Sequence, residues 1–196
     1  TMKIDIILAG VGGQGILSIA AVIGEAALSQ GLFMKQSEVH GMSQRGGDVQ
    51  SNLRISDRVI YSDLIPAGKA DLVLALEPME ALRYLPYLSA EGWLVSNSVP
   101  YVNIPNYPEE DKLKESIARF QRKVILDVDS IAREAGSVRA ANMVLLGAAC
   151  PFLRLDYSGL QQAVRRIFER KGEAVVELNL NALSMGKALA EQEFKP

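Results

Sequence analysis

The tightest constraint on this chain is a handover from strand to helix near its start. Residues 3–9 (Lys3, Ile4, Asp5, Ile6, Ile7, Leu8, Ala9) are apolar at nearly every position, the mark of a strand buried on both faces of a mainly parallel sheet rather than one alternating with solvent. Gly10, Gly12 and Gly15 follow in G-x-G-x-x-G spacing, with Gly13 and Gln14 inside it. Ile16, Ala20, Ile23 and Ala27 then recur at helical spacing beside Leu17, Gly24 and Leu28, and Gly31 stops the helix. Residues 32–39 read as a second strand, so the first forty residues form a strand, helix, strand unit with a right-handed crossover.

The alternation continues. Residues 49–55 and 59–61 are two short extended runs parted by Ser56, Asp57 and Arg58, which predicts a hairpin. Residues 71–76 read as a buried strand, 78–85 as a helix entered through Pro78, 93–96 as a strand and 101–108 as a surface crossing. A charged helix over 109–121 and a strand over 124–128 follow, with Asp129 or Ser130 placed to cap the next element. Helices are expected over 137–150, 157–170 and 178–192. The pattern predicts an α/β fold: a Rossmann-like mixed, mainly parallel sheet flanked by helices, in one domain spanning 1–196.

Composition supports this and narrows the function. With 196 residues, 48% hydrophobic and 22% charged, the chain can fill one generous core. A net charge of -2 provides no field to gather nucleic acid, and the longest apolar stretches, such as 143–153, are too short to span a bilayer. Met2 reads as the natural start, and no signal peptide follows it. One cysteine, Cys150, leaves no internal disulfide and fits a reducing compartment, so the cytoplasm is expected.

The glycine turn can cradle phosphate on main-chain N–H groups at a helix start, or it can simply allow close strand-to-helix packing. A dinucleotide site would want an acid about 20 residues past the last glycine, where Lys35 stands, with Glu38 nearby. A Walker loop is excluded, because Ile16 and Leu17 follow Gly15 where Lys and Ser or Thr are needed. His40 and Cys150, each the sole residue of its type, form no cluster with metal-ligand spacing. Cys150 reads as a small buried hydrophobe, His40 as a loop brace. Arg139 and Asn142 read as a cap and brace, and Arg165, Arg166, Arg170 and Lys171 as a solvated helix end. The densest polar stretch is Glu38 and Val39 followed by His40, Gly41, Met42, Ser43, Gln44, Arg45, Gly46 and Gly47, expected to be a loop bent closely around a ligand or braced for its own sake.

On Gly12, Gly13, Gln14 and Gly15, on Gly41 to Gly47, and on the run from Leu64, Ile65 and Pro66 to Glu77, Pro78, Glu80, Ala81, Leu82, Arg83, Tyr84 and Leu85, the chain resembles the gamma-type subunits of 2-oxoacid:ferredoxin oxidoreductases. Within them it is similar to the beta subunits of the indolepyruvate type, because pyruvate and 2-oxoglutarate enzymes usually lack the Met-Ser-Gln approach to the double glycine. The resemblance covers essentially the whole chain. It implies a subunit, inactive alone, of a heteromeric enzyme that decarboxylates a 2-oxoacid on thiamine diphosphate, passes electrons to ferredoxin and releases an acyl-CoA. Thiamine diphosphate and the iron–sulfur clusters are then expected on a larger partner subunit, and coenzyme A as cosubstrate. The other readings are a pyruvate or 2-oxoglutarate gamma subunit, or a non-enzymatic Rossmann-like ligand-binding module. By the resemblance, the glycine turn and the Arg45 loop contact coenzyme A phosphates or the partner.

Guanidinium forms a rigid fork that lysine cannot copy. Arg45→Lys is therefore expected to keep fold and charge while weakening assembly, or raising the coenzyme A requirement, about tenfold, or about 1.4 kcal/mol. Subunit titration and steady-state coenzyme A dependence measure this, and parental values in both would remove Arg45 from the site.

Overall fold

The structure, a computed structural model, describes residues 1–40 and 46–193, with His40 described through its main chain alone. Gly41, Met42, Ser43, Gln44 and Arg45 lie outside the described residues.

The glycine turn joins strand β1 (Lys3–Val11) to helix α1 (Ile16–Ser29), and the chain returns as β2 (Phe33–His40). Next come β3 (Asp48–Ser56), β4 (Ala70–Ala75), α2 (Pro78–Tyr84), β5 (Leu88–Asn97), α3 (Glu110–Ala118) and β6 (Lys123–Leu126). The carboxyl-terminal part is helical: α4 (Val128–Ala135), α5 (Ala141–Ala149), α6 (Tyr157–Phe168) and α7 (Glu173–Glu193). The strands form one sheet in the order β2-β3-β1-β4-β5-β6. β1, β4, β5 and β6 run parallel, and β3 lies antiparallel between β1 and β2. The mixed, mainly parallel sheet expected from the sequence is present.

β1 is buried at every position after Lys3 because both its faces are covered. Ile4, Ile6 and Leu8 join the core beneath α1, α5, α6 and α7, whereas Ile7 and Ala9 join a smaller core with Ala81 and Tyr84 of α2 and Ile117 of α3. Asp5 is the one buried charge of this strand, 1% exposed. It is tolerated because Arg54 stands directly opposite on β3 and donates through Nε to Oδ1 (2.8 Å) and through a terminal nitrogen to Oδ2 (3.2 Å).

Arg54 also overturns the expected hairpin. Its remaining nitrogen donates to the carbonyls of Ser62 (3.1 Å) and Leu64 (3.0 Å), and Ile65 N–H donates to Asn52 Oδ1 (3.3 Å). Residues 59–61 thus form no strand and belong to a loop pinned near β3. Both edges of β3 are already paired, with β1 and β2, so no edge remains for a local partner.

Two further expectations are corrected. Asp127, not Asp129 or Ser130, caps α4: its carboxylate accepts from Ser130 N–H (2.9 Å) and Ser130 Oγ–H (2.8 Å), which hold the carboxyl below its ordinary range. The helix expected over 137–150 is broken. Gly136 ends α4 at φ +124°, a 3-10 turn at Val138–Ala140 follows, and Pro151, with no N–H, sits in a second 3-10 turn, Cys150–Phe152, after α5. Among the described residues no helix is long and apolar enough to cross a membrane.

Helix α5 lies under the sheet and against α7 through facing glycines. A Cβ at Gly186 would run into the Val144 carbonyl oxygen, and one at Gly147 into that of Leu183. Gly186→Ala is therefore expected to destabilise the protein by about 2 kcal/mol, overpacking outweighing the gain in helix propensity. The midpoint of urea unfolding measures it, and a stabilised variant would show that the helices separate freely.

Candidate functional site

The site begins where β1 ends. Gly10 pairs with Val49 inside the sheet rather than turning, and a Cβ there would meet Gln14 Oε1 at 2.9 Å and Ile16 Cδ1 at 3.0 Å. The turn proper is Gly12, Gly13, Gln14 and Gly15, with Gly13 at φ +101° and Gly15 at φ +92°, both left-handed. Gln14 fastens it. Val11 N–H donates to Gln14 Oε1 (2.8 Å), and Gln14 Nε2 donates to the carbonyl of Leu76, just past β4 (3.2 Å). Gly15 carbonyl accepts from Asn142 Nδ2 (3.3 Å), tying the start of α5 to the turn. The bracing role expected of Asn142 is seen; Arg139 lies in the 3-10 turn before the helix.

A second arm comes from the β2–β3 corner. His40 is the last residue of β2, paired with Val49, and not part of a loop as expected. Gly12 N–H donates to Gly47 carbonyl (2.8 Å), and Gly46, at φ +77°, presents its carbonyl to Asn103 Nδ2 (2.7 Å). The two sequence-singled glycine clusters, separated by thirty or so residues, therefore meet at Gly12 through Gly46 and Gly47. Beside them lies a cavity of about 400 Å³ whose lining includes Gly12, Gly13, Gly15, Leu17, Glu38 and Val49. Glu38, not Lys35, faces the glycine turn. Lys35 pairs with Arg54 further down the sheet, and its Nζ donates to Tyr61 carbonyl (3.4 Å).

Sequence reasoning missed the acidic cluster next to this corner. Glu77 is fully buried. Its Oε2 accepts from Glu80 N–H (2.8 Å), capping α2, while Oε1 accepts from Tyr101 N–H (3.3 Å) and from the Tyr107 hydroxyl. Burial and the hydrogen bond to Glu77 push the Tyr107 phenol up. Glu80, also buried, pairs with Arg83 (2.9 Å); burial raises its carboxyl above the ordinary range despite the pair. A signal was present in Glu77, Pro78 and Glu80: an acid at the cap, proline at the first helical position and an acid at the third.

Cys150 is buried, as expected, and burial pushes its thiol up to about 12. A protonated, enclosed thiol donating to the Leu146 carbonyl (3.5 Å) does not suit an iron–sulfur ligand. Among the described residues no three His, Cys, Asp or Glu side chains gather as a metal site. At the late helix end, Arg165 pairs with Glu173 and Glu177 and Arg166 with Glu25, a solvated ionic face.

Residues 5–189 match the pyruvate ferredoxin/flavodoxin oxidoreductase family. The chain is 36% identical over 192 residues to the indolepyruvate oxidoreductase subunit IorB of Archaeoglobus fulgidus, covering 94% of each. Among solved structures, the gamma subunit of a keto/oxoacid ferredoxin oxidoreductase from Geobacter sulfurreducens superposes with a TM-score of 0.71 at 27% identity, over 96% of this chain and 99% of that one. The 2-oxoglutarate:ferredoxin oxidoreductase of Magnetococcus marinus, solved with 2-oxoglutarate, coenzyme A and succinyl-CoA bound, shares the fold with a TM-score of 0.76 at 24% identity, over 98% of this chain but 32% of that one.

The turn geometry separates two glycines. A Cβ at Gly13 would meet nothing, whereas one at Gly15 would lie 2.6 Å from Asn142 Nδ2. Gly13→Ala is expected to cost about 1 kcal/mol for its left-handed backbone, and Gly15→Ala about 3 kcal/mol for strain plus displacement of Asn142. Urea unfolding of both distinguishes them, and equal costs would mean that Asn142 yields freely.

Proposed function

The chain belongs to the pyruvate ferredoxin/flavodoxin oxidoreductase family, and from that premise we propose that it is the smaller subunit of an indolepyruvate-type 2-oxoacid:ferredoxin oxidoreductase. The observation that carries this is the likeness to an indolepyruvate oxidoreductase subunit over 94% of both chains. In this reading the larger partner holds thiamine diphosphate and the iron–sulfur clusters, and passes electrons to ferredoxin in the cytoplasm. The buried, protonated Cys150 supports that division, since it offers this chain no cluster ligand.

The contribution of this chain is then to cover and complete the partner's site at the glycine turn. Coenzyme A, the cosubstrate, would lay its phosphates along the Gly12 to Gly15 turn, where the positive end of α1 favours an anion. The Gly41 to Gly47 loop, with His40 and Arg45, would meet the partner or the same phosphates. Gly46 and Gly47 already support this by their bonds to Asn103 and Gly12.

The purified chain is expected to show no turnover of indolepyruvate, and the assembled complex to show coenzyme A-dependent turnover; activity of the chain alone would overturn the reading. In the assembled complex Gly12→Val should raise the coenzyme A KM about tenfold, about 1.4 kcal/mol. An unchanged KM in a destabilised protein would assign the turn to packing instead.

A further inference from the structure

The crossing after β5 joins the two sides of the glycine corner into a ring of hydrogen bonds. Leu76 carbonyl, just past β4, accepts from Gln14 Nε2 (3.2 Å) on the glycine turn and from Asn97 Nδ2 (3.3 Å) at the end of β5. Asn97 Oδ1 in turn accepts from Val99 N–H (3.2 Å), where the crossing starts. Buried Glu77 then accepts from Tyr101 N–H (3.3 Å) and from the Tyr107 hydroxyl. From this anchored segment the half-buried Asn103 donates through Nδ2 to Gly46 carbonyl (2.7 Å). Gly46 N–H donates to Gly12 carbonyl (3.5 Å) and Gly12 N–H to Gly47 carbonyl (2.8 Å), which returns the ring to the turn.

Asn103 makes its bond at the expense of another. Only the nitrogen end of an amide can serve a carbonyl, so the side chain is fixed one way up, and Oδ1 is buried with no hydrogen-bond partner among the described residues. A buried acceptor left unpaired destabilises a fold, so stability alone does not account for an amide at this position. What the amide supplies is a donor to Gly46. That glycine, at φ +77°, has no side chain with which to brace its own peptide, and it directly follows Arg45 in the chain.

We propose that Asn103 is a positioning residue for coenzyme A binding: it holds the Gly46 and Gly47 end of the polar loop against Gly12, with Glu77 and Tyr107 fixing the segment from which it acts. The inference rests on the reading of the glycine turn as a coenzyme A site. Asn103 is not among the residues lining the cavity beside the turn, so it acts through the main chain of Gly46 rather than by touching a ligand there. A loop already anchored at one end loses less freedom when a ligand is bound, so the effect falls on affinity and not on the chemical step.

Kinetics of the assembled complex test this. Asn103→Asp removes the donor while keeping the size of the side chain, and it should raise the coenzyme A KM about fivefold while kcat stays within about twofold of the parent. Relative to the parent at each pH, the defect should shrink as pH falls, because a protonated carboxyl regains an O–H that can donate to Gly46 carbonyl. A general loosening of the structure would not recover in acid. Tyr107→Phe, which frees the crossing from Glu77 one step further back, should raise the same KM by a smaller factor, and it serves alone should Asn103→Asp not fold. A parental KM in the variants, a fall in kcat at unchanged KM, or an Asn103→Asp defect that persists undiminished in acid overturns the proposal. Turnover of the parental complex that does not respond to coenzyme A would instead overturn the reading on which it rests.

Discussion

A strand buried on both faces must leave its sheet without stranding main-chain polar groups, and here four residues achieve this between β1 and α1. α1 turns to one face of the sheet and α2, after β4, to the other, so β1 and β4 part company at the strand ends where a crevice opens in folds of this kind. Gln14 fills the gap as a surrogate strand, accepting from the Val11 N–H and donating a hydrogen bond to the Leu76 carbonyl. Gly15 brings in α5 through Asn142, and Gly12 takes the β2–β3 corner through Gly47. Helix entry, sheet closure and the cavity therefore depend on one turn, whose positive φ angles at Gly13 and Gly15 glycine adopts without strain.

What the sequence showed follows from where the information lies. Apolar runs and helical periodicity are local, so β1, α1, β2, β4, α2, α3, β6 and α6 were legible to within a few residues. Strand pairing is not local. Residues 49–55 and 59–61 carried the pattern of a hairpin, but β3 finds its partners in strands made earlier in the chain. α4 was missed because eight residues with two buried side chains give too short a pattern to register. The helix over 137–150 was overextended because its apolar run continues past the points where Gly136 and Pro151 interrupt the main chain.

The acidic pair beneath the corner was hidden for a different reason. Charged residues at a helix start read as solvated by default, and nothing local says that Glu77 will be fully enclosed. It becomes so because the crossing after β5 folds back over it, supplying Tyr101 N–H and the Tyr107 hydroxyl from more than twenty residues away. Three donors offset the loss of water around the carboxylate. The same bonds give the crossing its shape and, through Asn103, hold Gly46. A buried acid on one element thus positions an exposed apolar edge on another.

The antiparallel β3 also decides what the glycine turn can be used for. In the dinucleotide arrangement the acid that holds the ribose sits on the strand beside β1. Here β3 occupies that place, so β2 lies two strand spacings away, roughly 10 Å. Lys35, at the expected sequence distance, is paired down the sheet with Arg54, and it is Glu38 that looks toward the glycines across the start of β3. The chain keeps the glycine turn of the arrangement and widens the half that would grip a ribose. The turn is thereby left open toward Glu38 and Val49, beside a cavity that no ribose-gripping acid on the neighbouring strand closes.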